Sequence, residues 1–170
     1  MCMDTIEIRL ADKSEMYIGF SLLRDAALWL KEKDIDYWQN WMNPYDSSFN
    51  WIREGFDANQ FYYVLKEAMI VGMFRLQWND EQFWGIQEDN AGYIHSFTTD
   101  RRFYGQGLGR QILTLIEDMC KQNHKKYARL DCGAHIEALC SYYENAGYVS
   151  VGEVALGRYR LRLYEKELID

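Results

Sequence analysis

The sequence predicts an α/β fold: a mixed, mainly antiparallel sheet with helices on both of its faces. Three observations predict it. Alternating apolar runs and helical apolar stripes succeed one another in the order βααββ, then βαβα, then ββ. No linker-like segment, low-complexity tract or internal repeat interrupts them. The 170 residues, 48% hydrophobic and 26% charged, suit one domain with a substantial core, so residues 1–170 are read as a single domain.

"TIEIRLA" alternates and reads as a first strand. "SEMYIGFSLLRDAALWLKEKD" reads as a helix whose apolar stripe holds Leu22, Leu23, Ala26, Leu28, Trp29 and Leu30, with Ser14 as its cap. The next stretch carries the single proline, Pro44, and is less regular, with a short helix expected at "SSFNWIREGF". "FYYVLKEAMIVGMFRLQW" is two strand-like runs about a "KEA" turn, an antiparallel hairpin. "NDEQFWGIQEDN" reads as a polar loop and "AGYIHSFTTD" as a strand. In "RQILTLIEDMCKQNHKK", Ile112, Ile116, Met119 and Cys120 share one helical face, beside Leu113 and Leu115. "YARLDC" is a strand, and "IEALCSYYENAG" a helix stopped by Gly147. "YVSVGEVAL" and "RYRLRLYEKEL" close the chain as two strands.

The net charge of −7 and a pI of about 5.0 argue against nucleic acid as a partner, because an acidic surface repels the phosphate backbone. No apolar run reaches the roughly 20 residues that span a membrane, and "MCMDTIEIRL" lacks the pattern of a secretory signal. Cys2, Cys120, Cys132 and Cys140 form no CxxC pair, and no metal-ligand spacing is present. Free thiols in a reducing cytoplasm are favoured over disulfides, and no metal is expected.

"RRFYGQGLGRQ" places Gly105, Gly107 and Gly109 between a strand and a helix. Glycines let backbone approach a phosphate, and a helix N-terminus attracts one. A P-loop would need a lysine that does not follow Gly109. A dinucleotide fingerprint begun at Gly105 would need glycine where Arg110 stands. The acyl-CoA turn R/Q-x-x-G-x-G/A fits Gly107 and Gly109. A glycine-rich hairpin or plain turn is the simpler alternative.

With these residues in hand, "YIHSFTTDRRFYGQGLGRQILTLIEDMC" and "ARLDCGAHIEALCSYYENAGYVSVGEV" together resemble the GNAT superfamily of acyl-CoA-dependent N-acetyltransferases, most clearly from Tyr93 to Glu153. The resemblance implies a GNAT-like fold and acetyl-CoA as cosubstrate. It implies that the strand before the turn bulges, with the backbone of Phe97, Thr98 and Thr99 binding the pantetheine arm. The turn Tyr104, Gly105, Gln106, Gly107, Leu108, Gly109 and Arg110 would hold the pyrophosphate, chiefly through the amides from Gln106 onward. Tyr143 in "YYENAGY" would protonate the departing sulfur, with Tyr142 as packing.

Two positions depart from the family pattern. Tyr104 stands where Arg or Gln usually opens the turn, with Arg101, Arg102 and Arg110 as candidates to compensate. Ile136 stands where an asparagine usually precedes the last helix, beside His135.

Acetyl transfer to an amine needs a proton acceptor. His95, which titrates near neutrality, lies just before "FTT" and is the candidate base; a structural or pocket-lining histidine is the alternative. Strand alternation puts Tyr93, His95 and Phe97 on one face, unless a bulge re-aims them. His124 is expected in solvent. Trp38, Trp41, Trp51 and Trp78 are expected mostly in the core, and Glu81 and Glu88 in a solvated loop. The implied enzyme acetylates a primary amine of a small molecule, without nucleic acid or membrane, and a homodimer is compatible with it. Its rival is an inactive acyl-CoA-binding or interaction module.

Overall fold

The computed structural model describes residues 5–169. In chain order they form β1 (Ile6–Leu10), α1 (Met16–Glu32), α2 (Asp46–Asp57), β2 (Phe61–Lys66), β3 (Met69–Gln77), α3 (Glu81–Trp84), β4 (Ala91–Thr99), α4 (Leu108–Gln122), β5 (Tyr127–Gly133), α5 (Glu137–Asn145), β6 (Val149–Leu156) and β7 (Tyr159–Glu167). The strands make one seven-stranded sheet in the order β1-β2-β3-β4-β5-β7-β6. β4 and β5 run parallel, while β1/β2, β2/β3, β5/β7 and β6/β7 are antiparallel, the mixed sheet that the sequence predicts.

The chain divides into two compact units. The first holds the residues up to Arg75 together with Ser96–Ile112. Its core joins Leu22, Leu23 and Ala27 of α1 to Ile52 and Phe56 of α2 and to Phe61, Tyr63 and Met73 of the β2–β3 hairpin. Period 3.6 on the helices and period 2 on the strands bring these residues to one side of their elements. Trp41 belongs to this core, and Trp38 and Trp51 pack against it, as expected. The hairpin turns on Glu67 and Ala68, both at positive φ (50° and 64°), the twist that joins two antiparallel strands most tightly.

Two local readings change here. A short 3-10 turn, Lys13–Glu15, precedes α1, and its cap is Asp12, whose side chain accepts from the Ser14 N–H; Ser14 is not the cap. A carboxylate two residues upstream simply reaches the first exposed amides better. α2 begins at Asp46, one residue earlier than the sequence suggests, with an acidic side chain in its positively polarised first turn.

The second unit holds Leu76–His95 and the residues from Leu113 onward. Its core includes Ile94, Ile116, Cys120, Leu130, Tyr148, Leu161 and Tyr164. Buried Glu117 of α4 accepts from the Tyr148 hydroxyl (3.0 Å) and the Lys166 ammonium (2.7 Å). Gly147, at φ +93°, ends α5 as expected. The stretch read as a plain loop carries the one-turn helix α3, capped by Asp80. Trp78 departs from the core expectation: it is 36% exposed, with Lys125 Nζ 5.4 Å from its ring centre. Glu81, Glu88 and His124 are exposed, as expected.

Cys120, Cys132 and Cys140 are free and buried, and burial pushes the Cys120 thiol up to about 12, so it is held as an inert thiol. Cys2 lies outside the described residues.

Candidate active site

The glycine turn belongs to the first unit. Gly105 and Gly107 both sit at φ +75°, in the left-handed region, and a Cβ built on either meets nothing within 4 Å. The turn therefore bends through conformations that side chains resist and leaves open space over its backbone. α4 starts directly after it, at Leu108, two residues earlier than the apolar pattern suggests, and its first bond runs from Gln111 N–H to Gly107 O (3.2 Å). The amides of Leu108, Gly109 and Arg110 thus fall in a first helical turn, where amides lack acceptors within the helix. Backbone amides exposed in this way can approach an anion closely.

The arginines near the turn have distinct partners. Arg101 donates to Thr99 O and Thr99 Oγ1, each at 3.0 Å, and its guanidinium stands 5.3 Å from the Trp29 ring centre. Arg102 is clamped to Asp100. Both are committed to local bonds. Arg110 is exposed on α4. Tyr104 is itself exposed, its ring 5.1 Å from that of Trp29. A cavity of about 400 Å³ beside these residues is lined by Asp25, Leu28, Trp29, Glu32, Asp100, Arg101 and Arg102.

The strand before the turn breaks its regular geometry at Ser96, whose φ is +49°. A β-strand residue in that region interrupts alternation, so the simple two-face pattern from Tyr93 to Phe97 does not hold beyond it. The conformation has side-chain support. Trp51 donates its indole N–H to Ser96 Oγ (3.2 Å). Arg75, 5% exposed, stacks 3.8 Å from the Trp51 ring centre and donates to Trp51 O and Gln60 Oε1. Past the break, Thr98 is buried with no hydrogen-bond partner for its hydroxyl, and a Cβ added at Gly72 of β3 would meet its carbonyl oxygen at 3.1 Å. Phe97 and Thr99 are half-buried.

His95 and Tyr143 belong to the second unit. The β4/β5 ladder runs from Ala91↔Tyr127 to Ile94↔Leu130. His95 and Asp131 are the next residues on their strands. His95 Nε2 lies 2.7 Å from Asp80 Oδ2, and Nδ1 lies 3.7 Å from Asp131 Oδ2. The Phe83 ring covers the imidazole at 5.3 Å. Burial holds the Asp131 carboxyl above the usual carboxylate range, against the pull of His95. Neither aspartate stands out in the sequence by spacing; an acid inside the apolar run "YARLDC" is the one signal for Asp131.

Tyr143 is buried, 7% exposed, with its ring 6.1 Å from that of Tyr148 and 6.2 Å from that of Tyr164. Tyr142, expected as packing, meets the Tyr143 ring edge-on at 5.4 Å and is the more exposed of the pair at 36%. Helical geometry turns adjacent residues about 100° apart, so only one of two neighbouring tyrosines can face the core. Ile136 is buried at the start of α5 without a side-chain cap, and exposed His135 stacks on Tyr159. Among the described residues no group of three or more His, Cys, Asp or Glu could hold a metal ion, and no helix is long and apolar enough to cross a membrane.

Comparison with known proteins bears on the family and the fold. The sequence model of the acetyltransferase (GNAT) family matches residues 19–148. The uncharacterized N-acetyltransferase YesJ of Bacillus subtilis (strain 168) is 29% identical over 153 residues, covering 86% of this chain and 82% of its own length. A GNAT-family acetyltransferase structure from Listeria monocytogenes superimposes with a TM-score of 0.77 at 25% identity, over 96% of this chain and 95% of that one. The structure of YncA from Salmonella typhimurium with its cofactor acetyl-CoA has a TM-score of 0.67 at 16% identity, over 98% and 95% of the two chains.

Proposed function

We propose, from the premise that the chain belongs to the acetyltransferase (GNAT) family, that it is an N-acetyltransferase moving the acetyl group of acetyl-CoA to a primary amine of a small molecule. The observation that carries the reading is the turn: two left-handed glycines with open space above them, opening a long helix. The residues present fit acetyl-CoA. On this reading the amides of Gln106–Arg110 hold the pyrophosphate, and Tyr104 and Gly105 shape the entry to that turn. The backbone of Phe97, Thr98 and Thr99 takes the pantetheine arm, the break at Ser96 aiming one of its N–H groups at the thioester oxygen.

Acetyl-CoA supplies the activated acyl group, which the amine attacks directly. An alkylammonium acceptor has a pKa of about 10.4 and must lose a proton first. His95 takes that proton, directly or through a water. Tyr143 gives a proton to the departing sulfur; its ordinary pKa of about 10 suits a donor to a thiolate. The acidic sequence favours a cationic acceptor, and the free thiols favour the cytoplasm. Residues 1–170 act as one catalytic domain, and a homodimer is compatible with this reading.

The test is release of free CoA thiol from acetyl-CoA across a panel of amines, polyamines, aminoglycosides and peptide N-termini. Release that depends on a small amine supports the reading. Tight acetyl-CoA binding with no release for any amine would instead make the chain an acyl-CoA-binding module.

A further inference from the structure

Ser96 stands in a conformation that its own chemistry does not favour. Its φ of +49° lies in the left-handed region, which residues with a side chain enter rarely, yet it falls inside the strand β4. Glycine takes such a φ freely; serine there needs its surroundings to hold it.

A bond reaches it from α2. Trp51, forty-five residues earlier, donates its indole N–H to Ser96 Oγ at 3.2 Å. The indole is itself fixed. The Arg75 guanidinium lies 3.8 Å from its ring centre. Arg75 is 5% exposed and oriented by two bonds of 2.9 Å, to Trp51 O and to Gln60 Oε1. A guanidinium so nearly enclosed is costly to desolvate, and its bonds and ring stacking offset that cost only in a defined geometry. α2 approaches so closely that a Cβ at Gly55 would meet Arg75 Nε at 2.9 Å and the Phe61 ring closer still. Arginine, indole and serine hydroxyl thus form one chain of contacts that ends on the break in β4.

We infer that Trp51 is a positioning residue for acetyl transfer, that Arg75 orients its ring, and that together they hold Ser96 at positive φ so that an N–H following it on β4 meets the thioester oxygen. The inference rests on the acetyl-transfer reading and deepens it. No proton or electron moves in this role. The thioester oxygen gathers negative charge as the amine attacks, and a donor already in place has no reorganisation left to undergo. Without the indole bond, Ser96 is free to relax toward ordinary strand φ. That turns the following peptide and takes its N–H off the oxygen. The size follows from one neutral hydrogen bond, whose net contribution corresponds to roughly 2- to 12-fold in the population of the held conformer.

Two substitutions at Ser96 separate the bond from the geometry. Ser96→Ala keeps the Cβ and its strain but removes the bond. Ser96→Gly removes both, so the conformation no longer needs holding. The full-length protein is loaded with acetyl-CoA isotope-labelled at the thioester carbonyl, and the infrared band of the bound carbonyl is compared with that of the free ligand. This measurement needs no acceptor. The expected band lies below the free position in wild type and Ser96→Gly, and moves back toward it in Ser96→Ala and Trp51→Phe. With an accepted amine, kcat should fall roughly 2- to 12-fold in the latter two, with the acetyl-CoA KM changing little, because the oxygen is charged only in the transition state. Adding Ser96→Gly to Trp51→Phe should restore kcat. A merely structural tie would lower Tm in Trp51→Phe and leave the band in place. That outcome, or Ser96→Gly behaving as Ser96→Ala does, would overturn the positioning role. A wild-type protein that binds no acetyl-CoA would overturn the acetyl-transfer reading and this role with it. Acetyl-CoA bound with the same band in every variant would overturn the role alone.

Discussion

Gly107→Val separates two costs that are usually confounded. Gly107 sits at φ +75°, a conformation that costs an L-residue roughly 1–2 kcal/mol, and more for a β-branched one. A Cβ there meets nothing within 4 Å, so no steric clash adds to the strain in the free protein. If the turn keeps its shape, the strain is present with and without ligand. It therefore comes off stability, about 2–8 °C in Tm for a chain of this size, and cancels from affinity. What the valine changes for the ligand is the open space over the backbone. Filling it where a phosphate must approach should weaken acetyl-CoA by at least tenfold, about 1.4 kcal/mol. Calorimetric titration measures the affinity and thermal unfolding the strain. Gly157→Val, at φ +56° in the β6–β7 hairpin and equally uncrowded, is the control: a similar loss of Tm with unchanged affinity. Unchanged acetyl-CoA affinity in a folded Gly107→Val protein would refute the assignment of the turn to the cofactor.

Tyr143→Phe keeps the ring packed against Tyr148 and Tyr164 and removes only the hydroxyl, so kcat should fall with acetyl-CoA affinity nearly unchanged, while Tyr142→Phe does much less; the reverse order in steady-state assays would move the acid to Tyr142. His95→Gln should lower kcat/KM most near neutral pH and recover in part as pH rises and the free amine forms in solution; matching pH profiles for variant and wild type would make His95 structural. Glu117→Gln leaves the Tyr148 hydroxyl and the Lys166 ammonium without a carboxylate, and should cost about 1–3 kcal/mol in denaturant unfolding. Because Asp131 binds its proton more tightly folded than unfolded, wild-type stability should decline relative to Asp131→Asn as pH rises from about 4, and a parallel pair of Tm–pH curves would show that it does not.

Sequence by itself determined the order of the longer elements and the place of the glycine turn that precedes α4. Both are local. Period 2 and period 3.6 mark strands and helices wherever one face is buried, and three glycines before an apolar helix can be read within eleven residues. The end of α5 at Gly147 and the burial of Ile112, Ile116 and Cys120 follow from the same short-range logic. Tertiary structure alone decided what surrounds His95. Asp80 lies fifteen residues before it and Asp131 thirty-six after, and only the meeting of α3, β4 and β5 makes them neighbours. Ser96 carries no residue-type signal for positive φ; a distant indole N–H and a buried Arg75 hold it there. Local patterns report how a segment meets the core. Which charged groups share a buried pocket depends on contacts between segments far apart in the chain, and no periodicity encodes those.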